Sequence, residues 1–477
     1  MFPSGVYTFP SGVYTFPSGV CGFVLTRLTA DYILEISVGI SHITKQAKEC
    51  QYIMEHTVSQ ELAQFLEGSP SCFHAVENMK NSLLTEHFLQ LHENQKWQIK
   101  PGGKYFVIRN SSSLIAFTIP GHGFSSMRIM ASHGDSPAFK IKENPELETD
   151  GHYIRLNVER YGGMLFAPWF DRPLSVAGRV IVKDPASGTF LTKLVNIDRD
   201  LVLIPNLAIH MNREANSGYK YNAQKDMLPL YGDLTAKGTF MKVTAEAAGV
   251  AESDILGHDL FLYNREKASI WGASGEFISC GRLDDLQCAF ASLKGFLAGD
   301  KDEHLAVHCV FDNEEVGSGT KQGAASTFLY DTLTRIHDCL GLTREDYLIH
   351  LADSLMISAD NAHAVHPSHT DKADPTNRPY INDGVVIKFN AGQRYCTDGV
   401  SAAVFRDICR AADVPVQTFV NRSDMAGGST LGNISCTQVA LDTVDIGLPQ
   451  LAMHSPYETA GVKDTGYLIR AAREFFR

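Results

Sequence analysis

The stretch MRIMASHGD, residues 127–135, decides how this chain is read. A short, mostly apolar run of strand length delivers His133 and, two residues later, Asp135. The same grammar recurs along the chain. HLAVHCVF (304–311) runs into DNEE, with Glu314 and Glu315, and SLMIS (354–358) leads to Asp360. PQLAM (449–453) delivers His454, and the run ending at Ser279 leads to GRLDD, with Asp284 and Asp285. In open α/β sheets, ligands bind outside the carboxyl ends of the strands. Five segments thus carry His or carboxylate groups to positions where a common site can be built.

Outward from these runs, apolar strands such as GVVIKFN (384–390) alternate with helical stretches, as in an α/β layer fold. Residues 137–273 differ. They are strand-rich (AFKIKE, RLNVERY, RVIVKD, TKLVNIDRDLVLI) and punctuated by Gly, Pro and Asp turns. The expected architecture is a mixed-sheet α/β domain with helices on both faces, in two parts (54–136 and 274–477), interrupted by a β-rich insertion at 137–273. Its first helix is expected after a Thr57/Gln60 capping box, a second carries Phe73, Val76, Met79 and Leu83 on one face, and a terminal amphipathic helix runs from Ile469 to Phe476. Residues 1–53 stand apart. They open on Met and the repeat FPSGVYT-FPSGVYT-FPSGV, in which Pro and Gly break any heptad helix. This extension is expected to be disordered or artefactual and to carry no chemistry.

Composition bounds the function. The chain has 477 residues and a formal charge of −12, which disfavours a nucleic-acid partner needing a basic face. No apolar run reaches the roughly 18–20 residues of a membrane-spanning helix. The ten cysteines contain no CxxC pair, a usage that fits free thiols in a reducing cytosol. GGST (427–430) lacks the Lys of a phosphate loop, and no GxSxG elbow is present. His363 and His366 tempt as ligands but read as structural or as groups just outside the ligand set.

Two histidines with several carboxylates and no cysteine suit a zinc-like divalent ion, with cobalt or manganese as alternatives. Two such ions need one shared carboxylate plus a His and a carboxylate each. A bridging Asp with His133, His454, Glu315 and Asp360 meets that requirement. In the Glu314/Glu315 pair, one carboxylate binds metal while the other serves as general base and acid. Asp135 is placed to orient the His133 imidazole. Any one of these residues alone is ordinarily a cap or a turn; only the recurrence of all five segments separates the pattern from that background.

On SPSCFHAV, ASHGDSP, YGGMLFAPWFDRPLSVAGR, IPNLAIHMNR, GRLDDL, DNEEVGS, SADNAHAVHP, GVVIKFNAGQRY, NRSDMAGGSTLGNIS and QLAMHSPYE, the chain resembles the aspartyl aminopeptidase family. This is metallopeptidase family eighteen, within the clan of co-catalytic zinc exopeptidases, and the likeness is to its bacterial-type members. It runs from about Gln60 to the C-terminus. The resemblance implies a cytoplasmic enzyme that removes the N-terminal residue of peptides, with acidic first residues preferred. It makes His133, Asp284, Glu315, Asp360 and His454 the ligands of two ions, most simply zinc, with Asp284 bridging. Glu314 becomes the general base acting on a metal-bridging hydroxide, and Asp135 the residue that orients His133. His210 becomes a residue that the inserted dimerisation domain reaches into a neighbouring active site. Lys388 becomes the cation facing the acidic side chain, and Tyr395 a substrate-positioning group. It also implies a tetrahedral homododecamer; charge and the lack of a membrane-length apolar run lead to the expectation of no nucleic-acid or membrane partner. The family often has Asn where this chain has Asp285, so Asp284 and Asp285 compete for the bridging role. Competing readings are an aminopeptidase preferring neutral residues, a related deacylase or carboxypeptidase, and a non-catalytic metal-bound scaffold.

Overall fold

The computed structural model describes residues 55–477, together with the backbone of two short strands, Tyr7–Phe9 and Gly12–Tyr14. Those two strands pair antiparallel within the repeat, with Tyr7 opposite Tyr14, and belong to a unit ending at His56. The rest of the expected 1–53 extension lies outside the described residues. Residues 57–477 form a second unit.

Its centre is a nine-stranded mixed sheet. From one edge to the other the strands are Val416–Val420, Val385–Phe389, Asp442–Gly447, Leu355–Ala359, Met127–His133, Leu305–Phe311, Ser113–Thr118, Lys104–Arg109 and Leu89–Leu91. The four middle strands from Asp442–Gly447 to Leu305–Phe311 are mutually parallel, so their carboxyl ends share one edge. Ser113–Thr118, Leu305–Phe311 and Leu355–Ala359 are buried along their whole length. Such burial on both faces explains their near-continuous apolar sequences. Side chains alternate between the two faces as the pleat requires. Leu355, Ile357 and Ala359 enter one core cluster with Met130, while Met356 enters the other with Ile129 and Ala131.

Helices cover both faces. Cys72–Thr85, Leu283–Ala298, Gly399–Ala411 and Asp464–Phe475 pack into the first cluster, and Phe328–Cys339 and Arg344–Ala352 border the second. Phe73, Val76, Met79 and Leu83 are buried on their helix as their spacing predicts. The first helix spans 55–67, so Thr57 lies inside its first turn and not at the cap. Leu283–Ala298 and Asp464–Phe475 approach closely because position 295 is glycine. A Cβ there would lie 2.4 Å from the Ala472 Cβ.

A second, wholly antiparallel sheet of six strands is drawn from Ala138–Thr149 to Ile255–Asn264 and has its own core around Phe139, Trp169, Val176 and Phe240. Ser269–Trp271 joins a third sheet, of five strands, by pairing with Phe277–Cys280. That sheet also holds Pro449–Leu451, the strand just ahead of His454.

Candidate active site and metal centre

The shared carboxyl edge of the parallel strands gathers the candidate residues. His133 is the last residue of its strand, Asp360 follows Ala359, and Glu314 and Glu315 open a short 3-10 turn after Phe311. Asp284 starts the long helix after Phe277–Cys280, joined to Asp285 by a cis peptide. His454 takes a positive φ of 67° just beyond the third sheet. These residues form two overlapping triads whose candidate ligand atoms lie within 4.8 Å of one another: His133–Asp284–Asp360 and Asp284–Glu315–His454. Asp284 belongs to both. Its Oδ1 lies 3.5 Å from His133 Nε2, and its Oδ2 lies 3.5 Å from His454 Nε2. His454 Nε2 is also 3.4 Å from Glu315 Oε2. Glu314 joins His133 and Glu315 in a third grouping.

Around this cluster, backbone amides hold the carboxylates that do not point into it. Asp285 Oδ2 accepts from the His133 N–H (3.2 Å) and Oδ1 from the Asn361 N–H (3.2 Å), so one side chain ties the ends of two strands. Asp135 accepts from the N–H groups of Glu314 and Glu315 and from the Tyr161 hydroxyl at 2.7 Å. Its backbone oxygen and carboxylate both face His133 Nδ1, at 3.1 and 3.4 Å. Glu458 accepts from the N–H of Asp284 (3.0 Å) and of His454 (2.8 Å). Sequence reasoning missed Tyr161 and Glu458, although both lie inside quoted motifs. Gly162 and Gly163, in the loop leaving strand Tyr153–Tyr161, lie against the cluster. A Cβ on Gly162 would sit 3.1 Å from the Glu315 Cβ, and one on Gly163 3.9 Å from His454 Nδ1.

The electrostatics of the cluster are those of a cation site. Burial, with Asp360, Asp135 and Asp284 nearby, pushes the Glu314 carboxyl up to about 8. Glu315 is driven well above the carboxylate range by burial and Asp284. Burial works against a charged His133, but Asp135 and Asp284 prevail and hold it well above the ordinary imidazole value. Asp284 is likewise held low by His133 and His454 against its own burial. Two buried carboxylate oxygens, Asp284 Oδ1 and Glu315 Oε1, have no hydrogen-bond donor. Leaving such oxygens unpaired is expensive, and both belong to residues of the candidate ligand groups. The nitrogen and oxygen donors, free of thiolate, fit zinc or a similar divalent ion.

Beside the triads lies a cavity of about 170 Å³ lined by Glu314, Lys388, Tyr395, Phe419 and Thr430 among others. Lys388 is buried on strand Val385–Phe389, with Nζ 3.7 Å from Asp360 Oδ1 and 5.6 Å from the Tyr395 ring centroid. His363 also lines this cavity. His210 is not brought to the site within the chain. It sits exposed on the loop after Ile204, next to exposed Ile209 and Met211.

The chain is similar to known proteins over most of its length. Residues 65–476 match the family described as Aminopeptidase I zinc metalloprotease (M18). The chain is 48% identical over 425 residues to a probable M18 family aminopeptidase 2 of Clostridium acetobutylicum, covering 88% of this chain and 98% of that one. It is 40% identical over 432 residues to the Pseudomonas aeruginosa protein of the same name, covering 89% and 99%. Among solved structures, the cryo-EM structure of the Ape4 and Nbr1 complex aligns with a TM-score of 0.85 at 35% identity, covering 89% of this chain and 86% of that one. The S. cerevisiae mApe1 dodecamer aligns at 0.78 and 27%, covering 88% and 96%. An α/β sheet with His and carboxylate groups on its carboxyl edge, a β-rich insertion and these relatives lead to one conclusion: the chain belongs to the M18 family of zinc metalloaminopeptidases.

Proposed function

We propose that this aminopeptidase works with two divalent ions, zinc in the simplest case, and prefers peptides with an acidic first residue. One observation carries the two-ion reading: Asp284 is common to both triads, with one oxygen toward each histidine. Asp285 does not compete for that role, because both its oxygens are engaged by backbone N–H groups. His133 and Asp360 would hold one ion, Glu315 and His454 the other, and Asp284 would serve both. When bound, such a pair polarises the scissile carbonyl and acidifies water.

The chain's own residues do the rest. Glu314, grouped with His133 and Glu315 and lining the cavity, takes the proton from the attacking water and returns it to the leaving amine. Asp135 fixes the tautomer and direction of His133. Lys388 presents a buried ammonium to the cavity, where the carboxylate of an Asp or Glu side chain gives it a partner. Tyr395 positions that end of the substrate.

The assembly is proposed by likeness. A relative's structure is a dodecamer, and the inserted sheet supplies the dimer contact. Leu207, Ile209 and Met211 give His210 an exposed apolar surround suited to a subunit contact. A cytoplasmic location agrees with the free cysteines. No helix among the described residues is long and apolar enough to cross a membrane. The deciding experiment counts metal and product together. Wild-type protein is expected to hold two ions per chain and to release Asp and Glu faster than Leu. Asp360→Ala is expected to hold fewer ions; unchanged stoichiometry removes Asp360 from the ligand set.

A further inference from the structure

Asp135 sits on the crossing between the two large sheets, residues 134–137, after strand Met127–His133 and before Ala138–Thr149. From there it touches the cluster at three points. Its Oδ1 accepts the Glu314 N–H and its Oδ2 the Glu315 N–H, each at 3.2 Å. Its backbone oxygen and Oδ1 lie 3.1 and 3.4 Å from His133 Nδ1. The place of this one side chain therefore sets the direction of His133 and the seating of the turn that carries Glu314 and Glu315. Asp135 also lines a cavity of about 320 Å³ with Tyr161, Asp312 and Asn313. Beside such a space, directional bonds rather than close packing fix a carboxylate.

The shortest of those bonds comes from the inserted sheet. Tyr161 ends strand Tyr153–Tyr161, and its hydroxyl donates to Asp135 Oδ2 at 2.7 Å, a good O–H···O length. Its ring packs edge-on against Phe261 of strand Ile255–Asn264, with centroids 5.5 Å apart. A chain of donors fixes the direction of the hydroxyl proton. The Thr320 hydroxyl and Gln322 Nε2 both donate to Asn313 Oδ1 at 2.8 Å, so Asn313 turns its Nδ2 to the Tyr161 oxygen, at 2.9 Å. Having accepted there, the phenol has its O–H for Asp135. Burial and the Asp135 carboxylate push the phenol far above its ordinary range, so it stays a donor. The loop that follows reaches the second triad: the Leu165 N–H donates to the His454 carbonyl at 3.2 Å, and Gly162 lies against Glu315.

We propose that Tyr161 is a positioning residue of the peptidase reaction, given the ligand and base roles proposed above. Acting through Asp135, its hydroxyl holds His133 in line for an ion and the backbone of Glu314 in line for proton transfer. The inserted sheet thus has a part in catalysis within its own chain, separate from any contact between subunits.

Tyr161→Phe tests this on the full-length enzyme. Phe keeps the ring against Phe261 and removes only the hydroxyl. Two readings are taken: the ions retained against a graded chelator, by elemental analysis, and steady-state kinetics at saturating zinc. The variant is expected to hold its ions about 10-fold more weakly, the lower end of what losing the partner of a ligating histidine costs. At saturating zinc, kcat is expected to fall about 10-fold with KM unchanged, the pattern of a contact that matters in the transition state alone. Tyr263→Phe is the control. It removes another hydroxyl of the same sheet, one that donates to Asn196 Oδ1 at 2.8 Å. It is expected to lower the melting temperature and to keep both metal affinity and kcat.

Should Tyr161→Phe melt early, Asn313→Asp is read in its place. Asp tolerates the φ of 64° at that position and still accepts from Thr320 and Gln322. It takes away the N–H that Tyr161 accepts and offers the phenol a rival to Asp135, so the same two losses are expected. Unchanged metal affinity in a folded variant, or equal losses in Tyr263→Phe, overturns the proposal. The parent's ions are counted in the same titration. A parent that holds none refutes the ligand set, whereas a loaded parent beside an equally tight variant refutes Tyr161 alone.

Discussion

Replacing Lys388 by Met is the sharpest test of acidic preference. The Nζ group is buried, 3.7 Å from Asp360 Oδ1, at the wall of the catalytic cavity. Met keeps an unbranched side chain, one atom shorter, and removes the charge. A substrate carboxylate that meets this ammonium gains a charge-assisted hydrogen bond of roughly 1.5–3 kcal/mol net. At about 1.4 kcal/mol per decade, its loss lowers kcat/KM for Asp-terminated peptides roughly 10- to 150-fold relative to Leu-terminated ones. The ratio is the right quantity, because Lys388 also balances Asp360. Any disturbance of that carboxylate slows both substrates alike and cancels. The assay measures kcat/KM for matched Asp- and Leu-peptides, with metal content determined on the same preparations. An unchanged Asp/Leu ratio at full metal loading would refute the role given to Lys388.

Glu314→Gln is expected to retain both ions and lose turnover by about 100- to 10,000-fold, the usual contribution of a positioned acid–base group; near-normal turnover assigns proton transfer elsewhere. The fold has its own pH dependence through His308, whose burial lowers its imidazole to about 3 while Nδ1 bonds the Ser292 hydroxyl at 2.7 Å. Below its unfolded value of 6.5 the unfolded chain takes up a proton that the folded chain refuses until about 3. Stability is therefore present above pH 6.5 and lost as pH falls, by about 1.4 kcal/mol at one unit below. Unfolding free energies from denaturant titrations at pH 7.5 and 5.5 should differ by that much more for the parent than for His308→Gln; equal differences contradict it. Gly295→Ala gains helix propensity of about 1 kcal/mol, yet puts a Cβ 2.4 Å from that of Ala472. Overpacking typically costs about 1–3 kcal/mol, so a lower melting temperature is expected, and a higher one shows that the helices can part freely.

The sheet's parallel middle was legible because strands buried on both faces must be apolar throughout, and such runs stand out in a sequence. The residues just after them were legible for the same reason: an abrupt His or carboxylate at the end of LAVHCVF or LMISA has no core role. Other features had no such signature. Asp284 and Asp285 are adjacent and chemically alike, and only their partners separate them: backbone N–H groups for Asp285, the two histidines for Asp284. Glu458 escaped notice because it holds the N–H groups of Asp284 and His454. Every residue but proline offers such a donor, so no pattern announces which carboxylate will take it. Thr57 and Gln60 fit a capping box, yet the described helix already runs through both. His210 lies apart from the cluster in the chain, and only its motif drew attention to it.

The Gly162–Gly163 turn belongs by connectivity to the antiparallel sheet, yet its backbone rests against Glu315 and His454. This makes the insertion unsuitable for excision. A trimmed catalyst lacking residues 138–264 would keep its central strands but lose the surface against which two prospective ligands are braced, along with the Tyr161 hydroxyl that secures Asp135. Engineering that treats the two sheets as interchangeable cassettes would therefore have to carry this turn across with the catalytic half.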